Sequence, residues 1–236
     1  MMTEVKSTEK LTALVKEYGL NAGANVVGIA ASESFVSAPE GFKPGDSLAG
    51  CRSVIVLGAA FPQDALLGTA AYYTELRSAM IENINGIAKT VAKRIKDDGF
   101  KSRAISGFGG RWVEGDGRKE QFGLISLKHA AELAGLGVIG RNYLLLNSEY
   151  GNLLWFSAVL TNADLIPDKR AEYSFCDNCS ICVEICPVKA LDEPAVFGKK
   201  ECSNMLMKKV GDKWEINCYL CRKECPYRFG MDHAET

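Results

Sequence analysis

The segment FCDNCSICVEICP, residues 175–187, and its counterpart INCYLCRKECPYR, residues 216–228, decide how the C-terminal part of this chain is built. Each closes a tight cysteine run with a proline directly after its last cysteine, so the pair reads as a degenerate duplication. The first run is Cys176-x2-Cys179-x2-Cys182-x3-Cys186-Pro187, the spacing by which bacterial ferredoxins ligate [4Fe–4S] clusters. Two-residue gaps let successive thiolates wrap three corners of one cube, while the fourth cysteine turns to the other cluster. The proline has no N–H and directs the chain out of any helix. The second group is Cys202, then Cys218-x2-Cys221-x3-Cys225-Pro226. The crossover rule predicts one cluster on Cys176, Cys179, Cys182 and Cys225, and another on Cys218, Cys221, Cys202 and Cys186.

Working outward, eight of the nine cysteines lie between Cys176 and Cys225. Zinc sites often include histidine, and neither His129 nor His233 falls inside the pattern, which favours clusters over zinc. Cys51, just before an apolar run, reads as a small core residue. The N-terminus has neither an apolar signal core nor a twin-arginine pair, and the longest apolar runs are far short of a membrane span. A cytoplasmic protein away from membranes is expected, and its reducing compartment argues against disulfides. Composition agrees, with 47% hydrophobic and 24% charged residues. Net charge is −1, and Lys199-Lys200 and Lys208-Lys209 are short and flanked by acids or apolar residues. That pattern argues against a nucleic-acid partner.

Before the cysteines, the pattern alternates helices and apolar strands. A helix is predicted over Thr8–Tyr18 with Gly19 as its stop. Strands are predicted at Val26–Ala30 and Ser53–Ala60, then a long helix after Pro62 with Ile84, Ile87, Val91 and Ile95 on one face. Next come a strand at Arg103–Ser106, a glycine-rich loop Gly107–Gly117 and a helix at Ile125–Ala134. Tyr143–Leu146 and Leu153–Leu160 read as two strands joined by the turn Ser148–Gly151. Asn162–Lys169 reads as a linker. The expected fold is α/β (α+β), with a core domain over 1–168 and a ferredoxin-type domain over 169–236.

The segment Lys128–Leu165, KHAAELAGLGVIGRNYLLLNSEYGNLLWFSAVLTNADL, resembles the epoxyqueuosine reductases and, more distantly, the corrinoid-dependent reductive dehalogenases. Those families carry AGLG-x-IG-[KR]-N, an apolar strand, a P/S-E-Y-G turn and a second apolar strand. The likeness continues into Lys199-Lys200-Glu201-Cys202. It implies a nitroreductase-like core holding a corrinoid (cobalamin), fed by a two-[4Fe–4S] domain. Corrinoid contacts would fall to Gly135, Leu136, Gly137, Gly140, Arg141, Asn142, Leu145 and Phe156. Gly135, Gly137 and Gly140 also spell G-x-G-x-x-G, but a helix precedes them and a strand follows, the reverse of the dinucleotide-binding order. A turn packed against the core is the alternative reading of these glycines. No Asp-x-His-x-x-Gly motif offers cobalt a histidine.

The chain departs from the epoxyqueuosine reductase pattern where those enzymes place a proton-donating Asp, since Gln121 stands there and an amide is no general acid. Asp116 and Glu120 stand near it in sequence, and Tyr72 and Tyr73 are further candidates, since the related dehalogenases use a tyrosine. The chain also stops eleven residues after Cys225, shorter than that family's usual extension. With no basic patch, these features lead us to expect a small-molecule substrate rather than epoxyqueuosine in tRNA. The expected activity is an iron–sulfur oxidoreductase passing low-potential electrons to a corrinoid, with reduced ferredoxin or flavodoxin as donor. The alternatives are an electron-transfer protein or reductive activase for a separate corrinoid protein, and a flavin reductase holding FMN, for which no specific signature is present.

Overall fold

The computed structural model describes residues 7–115, 118–192 and 199–232, with the backbone alone at 111–115, 118–121, 199 and 204. In chain order the elements are α1 (Thr8–Asn21), β1 (Val26–Ala31), α2 (Pro44–Ser47), β2 (Ser53–Ala60), α3 (Ala70–Asp97), β3 (Ser102–Ile105), β4 (Arg111–Gly115) and β5 (Arg118–Phe122). There follow α4 (Leu127–Leu133), β6 (Val138–Ile139), β7 (Leu145–Leu146), β8 (Leu154–Thr161), α5 (Ile181–Glu184), α6 (Lys199–Leu206), β9 (Met207–Val210), β10 (Lys213–Ile216) and α7 (Leu220–Lys223). The mixed helix-and-sheet class is as expected. Contacts gather the chain into two units that interleave along the sequence. One comprises Met1–Ala59, Ile81–Leu136 and Trp155–Ala171, the other Ala60–Met80, Gly137–Leu154 and Glu172–Thr236.

The first unit is built on a four-stranded sheet in the order β1-β2-β8-β3, with β1 antiparallel to β2 and β3 antiparallel to β8. Strands β2 and β8 are buried along nearly their whole length, which explains their almost continuous apolar sequences. Helix α1 lays Leu11, Val15 and Gly19 against this sheet and runs past the predicted stop. Gly19 is an interior residue because a Cβ there would stand 2.6 Å from Val27 Cγ2 and 2.8 Å from Leu57 Cδ2. The stop is Gly23, with φ at +102°. In α3 the predicted apolar face is buried at Ile84, Ile87, Val91 and Ile95.

Three local expectations need correction. The stretch predicted as a glycine-rich loop contains the hairpin β4–β5, registered with Trp112 opposite Gln121 and Val113 opposite Glu120. Strands with no apolar alternation, RWVEG and RKEQF, concealed it. Tyr143–Leu146 yields only the two-residue β7, which pairs back with β6 rather than joining β8 in a hairpin. The stretch Asn162–Lys169 is tied down rather than free. Asp168 receives Ile29 N at 2.9 Å and Lys16 Nζ at 2.5 Å, and Ser53 Oγ bridges Ala163 O and Leu165 N.

The second unit contains the cysteine runs, the β6–β7 and β9–β10 ribbons, and the first turns of α3. Helices α5 and α7 occupy equivalent places in the duplicated halves and pack on each other. Leu146, Phe175 and Cys225 form one of its buried clusters, with Phe175 edge-on to Tyr227 at 5.1 Å between centroids. The turn after β7 presses on the chain beyond the last cysteine, where Met231 N donates to Ser148 O at 2.7 Å.

Candidate metal centre

The duplicated runs bring Cys176, Cys179 and Cys182 near Cys225, and Cys202 and Cys218 near Cys221, with Cys182 near both. Burial pushes the Cys225 thiol up to about 11, and charge on Cys176, Cys182 and Cys179 adds to the effect. Cys182 is raised by burial and by the same neighbours, Cys176 and Cys179. These four are the first predicted set. Cys221 is pushed up to about 12 by burial, opposed by Arg222 and reinforced by Cys202, Cys218 and Cys182. Cys186, predicted for the second set, accepts a hydrogen bond at Sγ from Ala190 N at 3.3 Å. Thiols that resist ionisation in isolation are suited to a multiply charged partner, whose binding releases their protons. Cys51 lies in the other unit, where its thiol, raised by burial, donates to Ser53 O.

Arg141 and Asn142 fasten the two runs. Arg141 N donates to Cys176 Sγ at 3.4 Å, and its Nη1 donates to Cys179 O at 2.8 Å. The buried Asn142 side chain donates to Cys221 O at 3.0 Å and accepts from Leu144 N at 3.1 Å. Gly140 is required beside them, because a Cβ would lie 2.7 Å from Leu146 Cδ1 and 3.3 Å from Cys176 Sγ. A second fastening joins Arg222 and Asn152 reciprocally: Arg222 Nη1 donates to Asn152 O, and Asn152 Nδ2 donates to Arg222 O. Arg222 and Asn152 escaped the sequence reading, since nothing in their local patterns marks them.

Tyr73 is buried in an aromatic stack, 5.8 Å from Phe61 and 4.2 Å from Tyr219, which sits between Cys218 and Cys221. Asp116 and His233 lie outside the described residues, as do the side chains of Glu120 and Gln121. His129 is exposed and pairs with Ser126 Oγ at 2.6 Å.

The residues fit iron–sulfur clusters. The donors are thiols, backbone N–H groups already point at two of the sulfurs, and the Cβ-free Gly140 leaves room at Cys176. No three Cys, His, Asp or Glu side chains close around a single ion among the described residues. A cube holds its thiolates at its corners, farther apart than the ligands of one ion. The glycine run has other employment. Gly135 ends α4 in the left-handed region, with its N–H on Glu132 O and that of Leu136 on Ala131 O. Gly140 N donates to Leu144 O, and Gly137 has Leu146 O where a Cβ would lie. Leu145 is buried in the second unit, and Phe156 packs on Gly58 in the first. Gly135, Leu136, Gly140 and Arg141 therefore spend their N–H groups within the chain.

No protein-family model matches the chain. It is 32% identical over 117 residues to an epoxyqueuosine reductase of Synechocystis sp., covering 44% of this chain and 40% of the relative. It is 34% identical over 118 residues to one of Gloeobacter violaceus, covering 44% and 36%. The matches thus span two fifths or less of these relatives. Among solved structures, an epoxyqueuosine reductase bound to an epoxyqueuosine-modified tRNA stem loop superposes with TM-score 0.59 at 18% identity, over 95% of this chain and 63% of that one. A catabolic reductive dehalogenase gives 0.65 at 18%, over 98% and 34%. A reductive dehalogenase studied for B12-dependent dehalogenation gives 0.60 at 19%, over 98% and 30%. At these identities the structures establish a shared fold.

These findings correct two expectations: a small-molecule substrate or partner corrinoid protein, and the absence of nucleic acid. The relatives are named for a reductase whose solved neighbour holds a tRNA stem loop. Net charge and the absence of a basic run are weak evidence against RNA, because RNA meets a local surface and not an average. The ribbon β9–β10 places Lys208, Lys209, Lys213 and Trp214 in solvent, Trp214 with 60% of its surface exposed. No helix among the described residues is long and apolar enough to cross a membrane. The chain resembles the epoxyqueuosine reductases in sequence and shares its fold with them and with the reductive dehalogenases.

Proposed function

We propose that this chain is an iron–sulfur reductase of the epoxyqueuosine type, delivering electrons from two [4Fe–4S] clusters to a modified nucleoside carried in tRNA. The observation that carries the reading is the convergence of the cysteine runs on Arg141 and Asn142. Those two residues end the run that resembles the epoxyqueuosine reductases, and they fasten the loops that would hold the metal. Each cluster passes one electron at a time, so a pair of clusters can hold the two electrons that a reductive step consumes. N–H groups on the cysteine sulfurs stabilise the more negative reduced cluster. The corrinoid implied by the resemblance would, when bound, supply a low-potential, strongly nucleophilic metal.

The ribbon β9–β10 supports an RNA substrate. Register places Trp214 opposite Lys209, and Glu215 opposite Lys208. Trp214 and Lys209 therefore share one face, on which an unpaired base can stack while lysine meets phosphate. The test is turnover. Anaerobically reconstituted full chain is given cobalamin, reduced viologen and an epoxyqueuosine-containing tRNA stem loop, and nucleosides are identified by mass spectrometry. Loss of the epoxide oxygen is expected. A protein with full iron and bound cobalamin that leaves the nucleoside unchanged refutes the proposal.

A further inference from the structure

Arg222 follows Cys221 directly in α7, yet only 7% of its surface reaches solvent. Arginine is almost never buried without partners, because taking a guanidinium out of water costs several kcal/mol. The contacts holding this one among the described residues are neutral. Its Nη1 donates to Asn152 O, and its guanidinium carbon stands 5.9 Å from the centroid of Phe61. Asn152 is itself buried and returns a hydrogen bond to the Arg222 carbonyl at 3.0 Å. A carbonyl and an aromatic face orient a guanidinium without cancelling its charge. Arg77 lies near enough for the two positive charges to oppose each other. Phe61 in turn begins the ring stack through Tyr73 to Tyr219, between Cys218 and Cys221.

A buried positive charge at this place has a definite consequence for a cluster bound there. A cluster becomes more negative on gaining an electron, so nearby positive charge favours its reduced form and raises its potential. The other set of thiols has Arg141 beside it, but that side chain is exposed, where water and salt weaken its field. We propose that Arg222 is a positioning charge that holds the cluster on Cys186, Cys202, Cys218 and Cys221 at a higher potential than the cluster on Cys176, Cys179, Cys182 and Cys225. The first of these then fills with an electron before the second. This inference rests on the two-cluster reading above.

The experiment is an EPR-monitored redox titration of the full chain after anaerobic reconstitution, with iron and sulfide assayed on the same samples. Two separated midpoints are expected in the wild type, with about eight irons per chain. Arg222→Gln keeps a donor for Asn152 O and removes the charge. At full iron content its higher midpoint should fall, changing the reduced-to-oxidised ratio at fixed potential about tenfold or more, which is roughly 59 mV for one electron. The lower midpoint should stay, and Arg222→Lys, which keeps the charge, should keep the wild-type value. Both midpoints unmoved in an iron-replete Gln variant overturn the proposal, as does a Lys variant that behaves like Gln. Should the Gln variant fail to hold iron, Arg77→Gln removes the neighbouring charge from outside the cysteine runs. A fall of the higher midpoint alone then supports the proposal, and unmoved midpoints overturn it. A wild-type chain that takes up no iron refutes the two-cluster reading itself, which is a separate failure.

Discussion

Replacing Asn142 with alanine should loosen both the β6–β7 turn and the second cysteine run. The amide is buried, donating to Cys221 O at 3.0 Å and accepting from Leu144 N at 3.1 Å. Alanine leaves both backbone partners unsatisfied, at about 1–3 kcal/mol for each group that water cannot reach. Cys221 is partly exposed, so water recovers some of its share, and the total loss is about 2–4 kcal/mol. For a chain of this size each kcal/mol lowers the melting temperature by roughly 2–4 °C, so a fall of about 4–16 °C is expected. The assay is thermal unfolding of the iron-loaded full chain, with iron release to a chelator followed in parallel. Release should quicken, because the run from Cys218 to Cys225 has lost a fastening point. Asn142→Asp keeps the bond from Leu144 N but turns the donor facing Cys221 O into an acceptor, so it should release iron at least as fast as the alanine variant. An alanine variant that melts and releases iron as the wild type does refutes this account of Arg141-Asn142.

Five further outcomes are expected. Gly19→Ala should destabilise the first unit by about 1–2 kcal/mol in urea unfolding, overpacking against Val27 and Leu57 outweighing the helix propensity gained. Gly86→Ala, in α3 with nothing within 4 Å of its Cβ, should stabilise by about 0.5–1 kcal/mol. Tyr18 donates to Asp98 Oδ2 at 2.8 Å, and burial followed by that bond raises its hydroxyl from 10.0 to about 12. A raised folded value means that this stabilisation is complete below pH 10 and is lost as pH climbs toward 12. Tyr18→Phe should therefore flatten the alkaline decline of the urea midpoint between those values. Trp214→Ala should weaken binding of the modified stem loop about tenfold, as expected for one lost base stack, with the melting temperature unchanged. Lys208→Glu with Lys209→Glu should reduce the salt dependence of that binding.

Much of the architecture was legible because its determinants are local. Apolar runs at Val26–Ala31 and Ser53–Ala60 became the buried strands they resembled, and the 3.6-residue spacing of Ile84, Ile87, Val91 and Ile95 became a buried helix face. Gly19 was misread because a glycine that ends a helix and one that admits a neighbouring strand look alike in one dimension. The hairpin β4–β5 was missed because its strands carry no apolar alternation. Lys208-Lys209 read as a short pair of solvated charges, because the cross-strand register that sets Lys209 beside the exposed Trp214 is not visible in one dimension.

For the metal centre the division is sharper. The expected ligand type and grouping come from spacing alone, since a two-residue gap limits how far apart successive thiolates can stand. The residues that organise those ligands did not follow, because hydrogen bonds across 35 and 79 positions, from Arg141 to Cys176 and from Asn142 to Cys221, leave no periodic trace. The same holds for Arg222, whose burial depends on Asn152, 70 positions earlier. Sequence singled out the thiols proposed to bind metal. Tertiary structure decided which charges and N–H groups surround them, because those neighbours are set by packing between segments that are remote along the chain.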